Sequence, residues 1–194
     1  MKREVTELRP TQFAVGMREV AKKVEKIGSM KDKQLEEYLE AHPVPVVISP
    51  HKHFYMIDHH HLVRAAWESG IKKVLTKLQA DLSHLTNDEY WKVMLQSHWA
   101  YLYDQLGNGP HQPLKLPEDV RCLADDPFRS VSWAVRDLGG FDKTTMAFSE
   151  FKWAEYFRTK ITIEIGDKGF KNAVDHALKL CKSHEAAHLP GYKK

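Results

Sequence analysis

The fold of this chain is decided by residues 44–66, which read VPVVISPHKHFYMIDHHHLVRAA. The runs 44–48 and 54–57 are rich in β-branched and aromatic residues, which indicates two strands joined by a turn after Pro50. From residue 60 onward, apolar residues recur at helical spacing until Gly70, which predicts a helix. The segment is therefore predicted to be a β-hairpin that leads directly into a helix, with Asp58 and three consecutive histidines at the junction.

The polar residues at this strand-to-helix junction are the first candidates for function. A helix N-terminus carries a partial positive charge and suits a phosphate, so His59 and Arg64 are candidate phosphate ligands. His60 and His61 could act as general bases near neutral pH, and Asp58 could orient an imidazole, so these three are the candidate catalytic residues. The alternative is a solvated polar turn in which Asp58 merely caps the helix.

The same junction is a candidate metal site. Asp58, His59 and His61 could hold a divalent ion such as zinc or manganese. His51 and His53 lie on one face if the strand alternation extends to them, and they could contribute further ligands.

The rest of the chain is mainly helical by pattern. Helices are predicted over residues 17–27, 31–41, 60–69, 86–98, 126–138, 149–160 and 168–184, and a further strand over 73–82. Residues 107–119 are rich in glycine and proline and interrupt the regular structure. We therefore expect an α+β domain over residues 1–106 and a helical extension over residues 107–194 packed on it.

Two cations on the first predicted helix could reach a bound phosphate. Arg18 and Lys22 are four residues apart and so share one helix face. They would contact the phosphate if that helix packs beside the histidine junction. The alternative is a solvated basic face.

Aromatic and arginine residues alternate in the predicted helices of the C-terminal part. Arginine beside aromatic rings could bind single-stranded nucleic acid, but such residues more often form a core with a polar rim. We favour a core, with structural ion pairs from Glu150 and Glu155 to nearby arginines. The set comprises Trp133, Phe151, Trp153, Tyr156, Phe157, Arg129, Arg136 and Arg158.

Residues 184–188 read HEAAH and match the H-E-x-x-H zinc motif. On an α-helix, His184 and His188 could bind zinc with Glu185 as the base of a metallopeptidase. Only six residues follow and Pro190-Gly191 breaks the helix, so this is a remote alternative.

Composition narrows the class of protein. The net charge of +3 over 194 residues is too small to imply a dedicated nucleic-acid surface. Cys122 and Cys181 lack metal spacing, which favours reduced thiols and a cytoplasmic location. No apolar stretch approaches the ~20 residues of a membrane span, so we expect no membrane partner.

Several of these segments together resemble a known superfamily. The features are Leu8-Arg9-Pro10, the helix with Arg18 and Lys22, the strand 44–48, and the sequence 58–61 opening a helix. On these, residues 8–82 resemble the ParB/sulfiredoxin-like domain. The whole chain resembles the bacterial group called putative ParB-like nucleases, through the sequences DPFRS at 126–130, WAVR at 133–136 and EFKWA at 150–154.

The resemblance implies a small mixed sheet flanked by helices, with phosphates held at the strand-to-helix loop. Relatives include partition proteins that hydrolyse CTP, sulfiredoxins that use ATP and kinases that phosphorylate free serine. Their usual loop is Asp-Gly-His-His-Arg or close to it, whereas this chain has His59 in place of the glycine and Leu62 in place of the arginine. Arg64 is two residues after Leu62, which is a rotation of ~200° around a helix. On this spacing Arg64 would face away from the loop.

Together these features predict a phosphate- or nucleotide-binding protein that acts as a metal-assisted nuclease or phosphohydrolase. The predicted cofactors are a divalent metal and a nucleotide, and the predicted partners are a nucleotide or nucleic acid. The alternative is a non-catalytic nucleotide- or nucleic-acid-binding module that uses the same cleft without turnover. Substrate, metal and oligomeric state do not follow from the sequence.

Overall fold

The computed structural model describes residues 1–193 and is mixed α+β, as the sequence predicts. The chain forms two compact units. The first contains Met1–Val15 and Val20–Asp125, and the second contains Gly16–Glu19 and the residues from Asp126 onward. Residues 107–125 thus belong to the first unit, and the expected division into domains after residue 106 stays a prediction.

The first unit is built on a five-stranded mixed sheet with the strand order β1-β6-β4-β5-β2. Strands β2 and β5 are parallel, β5 and β4 form the predicted antiparallel hairpin, β4 and β6 are parallel, and β6 and β1 are antiparallel. A separate parallel pair joins β3 to β7. The strands are β1 (Lys2–Glu4), β2 (Leu8–Pro10), β3 (Ala14–Val15), β4 (Val44–Ile48), β5 (Phe54–Met56), β6 (Lys73–Asp81) and β7 (Ala124–Asp125).

Helices accompany this sheet where the apolar periodicity predicts them. Their bounds are α1 (Met17–Gly28), α2 (Asp32–Ala41), α3 (His60–Glu68) and α4 (Asn87–Gln96). The helix α3 ends before Gly70, whose φ of 75° is a conformation that glycine adopts without steric cost. Thr86 and Glu89 form the capping box that opens α4. Buried residues from both layers form the core, among them Leu8, Val44, Val47, Met56, Val63 and Ala66.

The second unit is helical, as predicted for the C-terminal part. It contains α5 (Pro127–Asp137), α6 (Ser149–Arg158), α7 (Gly166–Leu180) and a 3-10 helix (His184–His188). Asp126 caps α5 by accepting hydrogen bonds from the N–H groups of Phe128 (2.9 Å) and Arg129 (3.1 Å). Pro127 occupies the first turn, where its missing N–H costs nothing.

The aromatic residues of the second unit form its core, so that prediction is confirmed. Trp153 and Phe157 are fully buried, and the Trp153 ring stacks on Phe141 with their centroids 4.5 Å apart. The arginines pair with carboxylates: Arg129 and Arg136 with Glu150, and Arg158 with Asp126 and Glu155. These rings and cations are therefore structural and not a surface for bases.

Four short strands, β1, β2, β3 and β7, were not predicted as strands from the sequence. They are two or three residues long, and the partners of β1 and β3 lie about 70 and 110 residues away along the chain. No membrane-crossing helix occurs in residues 1–193, because none is both long and apolar enough.

Candidate functional site

The backbone of His59 is the defining feature of the junction between β5 and α3. β5 ends at Met56 and α3 begins at His60, while His59 is left-handed with φ 64° and ψ 21°. A left-handed backbone is costly for a residue with a side chain, and glycine is its usual occupant. His59 stands where the resembling loops have glycine. A left-handed backbone at this position would explain that glycine, whereas this chain has a histidine there.

Asp58 does not cap the helix, so the capping alternative is wrong in its geometry. The N-cap of α3 is His59, and it makes no side-chain capping bond. Asp58 lies one residue earlier, and its Oδ1 accepts a 2.6 Å hydrogen bond from the His59 N–H. The Asp58 side chain is exposed, which leaves its second oxygen accessible to a ligand.

His60 is buried and bound to the first part of the chain. Its Nε2 accepts a 3.1 Å hydrogen bond from the Thr11 N–H and lies 3.3 Å from Thr11 Oγ1, which in turn lies 2.8 Å from the Met56 carbonyl oxygen. Burial lowers the pKa of His60 to about 4, against the opposing charge of Asp58. The ring is therefore neutral at neutral pH, with the lone pair of Nε2 already used. These contacts are structural, and the catalytic role of His60 stays a prediction.

The two other histidines of the junction are more open than His60. His59 is partly buried, and its ring centroid lies 6.4 Å from that of His42. Among the described residues, the enclosed Nδ1 of His59 has no hydrogen-bond partner. His61 is partly exposed on the first turn of α3. His59 and His61 are thus the imidazoles that an incoming ligand could reach.

The structure does not assemble the predicted metal ligands into a ready-made cage. Within residues 1–193, no group of three or more His, Cys, Asp or Glu side chains is placed to hold a metal ion. Asp58, His59 and His61 therefore do not form such a group. His51 and His53 do lie near each other, with ring centroids 6.3 Å apart, at the exposed turn of the hairpin.

Arg64, a predicted phosphate ligand, is bound to the protein itself. Its Nη1 donates to the carbonyl oxygens of Val120 (2.8 Å), Arg121 (3.3 Å) and Leu123 (3.3 Å), which belong to a short 3-10 helix and the residue after it. Its Nε pairs with Glu68 at 2.8 Å. In this structure Arg64 fixes that 3-10 helix, and its phosphate role stays a prediction.

Arg18 and Lys22 each have a carboxylate partner. Arg18, in the second unit, forms a 2.8 Å ion pair with Asp167 and lies over the Phe170 ring at 4.2 Å. Lys22, in the first unit, pairs with Glu25 at 3.1 Å, and both side chains are about two-thirds exposed. Either cation would have to leave its partner to bind a phosphate.

The H-E-x-x-H motif lacks the geometry that a zinc site needs. Residues His184–His188 form a 3-10 helix, on which positions four apart differ by about 120° instead of lying above one another. Glu185 is bound to Lys160, with 2.8 Å between Oε2 and Nζ. The metallopeptidase hypothesis through His184, Glu185 and His188 is therefore wrong.

Sequence analysis missed Thr11 as a residue of the junction. Thr11 is buried and holds both the His60 ring and the Met56 carbonyl. Its bond to His60 joins positions 49 residues apart, so no local spacing could indicate it.

Comparisons with known proteins agree with this architecture. The family model described as "Putative ParB-like nuclease" matches residues 1–159. No curated protein sequence matches the chain. One similar solved structure is titled "Crystal structure of protein Atu1540 from Agrobacterium tumefaciens"; it is 41% identical, with a TM-score of 0.91, over 100% of this chain and 95% of that one.

Proposed function

The chain belongs to the family of putative ParB-like nucleases, and from this premise we propose that it binds the phosphate of a nucleotide or nucleic acid at the junction between β5 and α3. The observation that carries the proposal is the left-handed His59 at the N-cap of α3. This conformation sets the positive end of the helix dipole at the loop where resembling proteins hold phosphates. The imidazoles of His59 and His61 lie beside it.

The chemistry proposed for this site is hydrolysis of a phosphate ester or anhydride. His61 is the better candidate for the general base, because its imidazole is partly exposed on the first turn of α3, where a substrate could reach it. His60 acts as a positioning residue, since its bonds with Thr11 fix the start of α3. His61 would take a proton from the attacking water as the water oxygen bonds to phosphorus. The P–O bond to the leaving group would break at the same time, and the leaving oxygen would gain a proton from solvent.

Asp58 and His59 would contribute ligands to a divalent cation that arrives bound to its substrate, since the side chains of the junction do not form a metal site by themselves. Mg²⁺ is usually held by one or two carboxylates together with substrate phosphates, and Asp58 offers an exposed carboxylate. The histidine nitrogens suit manganese or zinc. Such a cation would neutralise negative charge on the phosphate during hydrolysis.

Hydrolysis assays with DNA and with a nucleoside triphosphate, in Mg²⁺ or Mn²⁺, test the proposal. We expect turnover to fall by about a hundredfold or more in His61→Ala, the usual contribution of a general base. Asp58→Asn should lower turnover and weaken the metal dependence. His84→Ala is the matched control, because it removes an exposed histidine of the same unit that has no role in the proposed site. Full turnover in His61→Ala would disprove the assignment of the base.

A non-catalytic binding module is the second candidate function. It is favoured by the hydrogen bond that Nε2 of His60 already accepts from the Thr11 N–H, because this bond uses the lone pair that a general base would need. Calorimetric titration with the same ligands separates the two candidates: ligand affinity that depends on His59 and His61, without turnover in any divalent metal, supports the module. Absence of both binding and turnover would overturn both candidates.

The proposal includes a cytoplasmic location. Both Cys122, which is exposed, and Cys181, which is buried, are free thiols. Free exposed cysteine is typical of reducing compartments.

A further inference from the structure

A polar pocket of about 450 Å³ lies in the first unit, away from the histidine junction. It lies where β2 and β5 begin, and its walls include Arg9, Lys52, His53 and Phe54. The junction at Asp58 lies at the other end of β5, so the two sites are separate. A volume in this range accommodates a nucleotide-sized molecule.

Carboxylates also line this pocket, and pairing within the protein accounts for two of them. Asp119 accepts hydrogen bonds from Arg121 Nε at 2.9 Å and Nη2 at 2.7 Å, so these opposite charges offset each other. Glu7 lies 4.0 Å from Arg3. The remaining carboxylate is Glu118, which is exposed.

Arg9 takes part in none of these ion pairs. Its side chain is partly buried, and among residues 1–193 its guanidinium has neither a hydrogen bond nor an ion pair. An arginine that lines a pocket and has no carboxylate partner of its own can bind an anion. Its planar guanidinium matches the geometry of phosphate oxygens.

Lys52 adds a second cation at the same wall. Its Nζ donates a 2.6 Å hydrogen bond to Ser83 Oγ. Hydrogen bonds from Ser83 lower the pKa of Asp81, and the charge of Lys52 adds to that effect, so Lys52 interacts with Asp81 at longer range. It nevertheless lines the pocket with no carboxylate in direct contact.

The imidazole of His53 also lines this pocket. Desolvation lowers the pKa of His53, and the positive charges of Arg9 and His51 lower it further. The adjacent Phe54 has the guanidinium of Arg3 over its ring at 3.7 Å and forms an apolar part of the pocket wall. The pocket thus combines a free guanidinium, an ammonium, an imidazole and an aromatic ring.

We propose that this pocket binds the phosphoryl group of a phosphate monoester, with Arg9 and Lys52 as its charged ligands. A small phosphorylated molecule and the 5′-phosphate of a nucleic acid share this chemistry. Glu118 at the exposed side would oppose a second anionic group placed near it, which favours one terminal phosphate over a chain of several.

Binding assays with inorganic phosphate, AMP and a 5′-phosphorylated oligonucleotide test this site, with adenosine as the ligand without phosphate. In the wild-type protein, AMP or the oligonucleotide should bind and adenosine should not. Tighter binding of the oligonucleotide identifies a nucleic-acid end as the source, and equal or tighter binding of AMP identifies a small molecule. Failure of all three phosphate ligands to bind, or equal binding of adenosine, overturns the proposal.

Variants and amide chemical shifts locate the binding. Arg9→Gln and Lys52→Gln should each weaken AMP binding by about tenfold or more, as expected for charge-assisted hydrogen bonds. Lys33→Gln removes an equally positive, 88% exposed side chain from α2 of the same unit and should leave the affinity unchanged. Lys52→Gln lies in an exposed turn, so it keeps the test decisive if Arg9→Gln fails to fold.

The positions of the shifted amides distinguish this pocket from the histidine junction. Ligand-induced shifts at His53, Phe54 and Arg121 support the pocket. Shifts confined to residues 59–62 with unchanged affinity in Arg9→Gln disprove it and leave the proposed function of the junction intact. The reverse pattern supports the pocket and counts against the junction.

Discussion

Two arginines of the second unit, Arg129 and Arg158, differ from Arg9 of the first unit in what their guanidinium groups contact. In the second unit, Arg129 pairs with Glu150 and Arg158 pairs with Asp126, so cation and carboxylate satisfy each other inside the fold. In the first unit, Arg9 lines a pocket and, within residues 1–193, has no carboxylate partner. Internal pairs hold a structure together, whereas an unpaired cation at a pocket wall can bind a ligand. The comparison therefore makes Arg9 the arginine at which ligand binding should be tested.

The largest effect that would test this comparison is expected at Asp126. Its side chain is almost fully buried, caps α5 and pairs with Arg158 at 2.9 Å. Asp126→Ala removes the cap and leaves the Arg158 charge without this partner, so the free energy of unfolding should fall by about 3–5 kcal/mol. Urea unfolding followed by circular dichroism measures this loss.

Asp167→Ala is the control for that substitution. It also removes a carboxylate partner of an arginine, Arg18, but the Asp167 side chain is 95% exposed. Its removal should cause no measurable change, because exposed ion pairs contribute little. A loss in Asp126→Ala no larger than in Asp167→Ala would contradict a structural role for the arginines of the second unit.

In the first unit, the buried His60 should make the free energy of unfolding depend on pH. The pKa of His60 is about 4 in the folded state against 6.5 when unfolded, so the unfolded chain binds the proton more readily. This contribution to stability is fully present above pH 6.5 and is lost as the pH falls toward 4, by about 3 kcal/mol in total. Chemical denaturation between pH 4 and 7.5 measures the slope.

His60→Gln should remove that part of the pH dependence, because glutamine can accept from Thr11 but does not titrate. His61→Gln is the matched control, since it deletes a neighbouring histidine that is partly exposed. The same slope in wild type and His60→Gln would show that the protonation of His60 does not govern acid sensitivity.

Local patterns in the sequence sufficed for most of the fold. The β4–β5 hairpin and the start of α3 follow from β-branched runs and helical spacing within about 25 residues. The helices α4 and α5 likewise begin within two residues of the starts predicted at residues 86 and 126. Short strands such as β1 were not predicted, because their pairing is set by distant residues and not by their own composition.

The candidate site was harder to predict, because its contacts connect distant parts of the chain. The histidine junction was found as a segment, but the burial of His60 depends on Thr11, and the binding of Arg64 depends on carbonyls 56–59 residues later. Arg9 was noted in the sequence only as part of Leu8-Arg9-Pro10, which contributes to the family resemblance, and it was not predicted to bind a ligand. Only the fold shows that it lines a pocket without a carboxylate partner among the described residues.

A smaller effect is expected from the left-handed backbone of His59. His59→Gly should change the free energy of unfolding by less than about 1 kcal/mol, because relief of steric cost offsets the greater freedom of the unfolded chain. His59→Val should lower it by about 1–2 kcal/mol, since a β-branched side chain tolerates this conformation poorly. Thermal unfolding compares the two variants. A Gly variant less stable than the Val variant would contradict the left-handed assignment.

The smallest effect is expected at Lys22, where the two roles proposed for a cation make different predictions. As an exposed partner of Glu25, Lys22 should contribute about 0.5 kcal/mol or less to stability, so Lys22→Gln should unfold like the wild type. If Lys22 binds phosphate, Lys22→Gln should instead lower the affinity for the ligand without changing the stability of the protein. Titration of Lys22→Gln with AMP and with a nucleoside triphosphate separates these roles. An affinity loss as large as that of Arg9→Gln would show that an exposed, paired cation binds phosphate as well as an unpaired one. It would contradict the distinction between paired and unpaired cations drawn above.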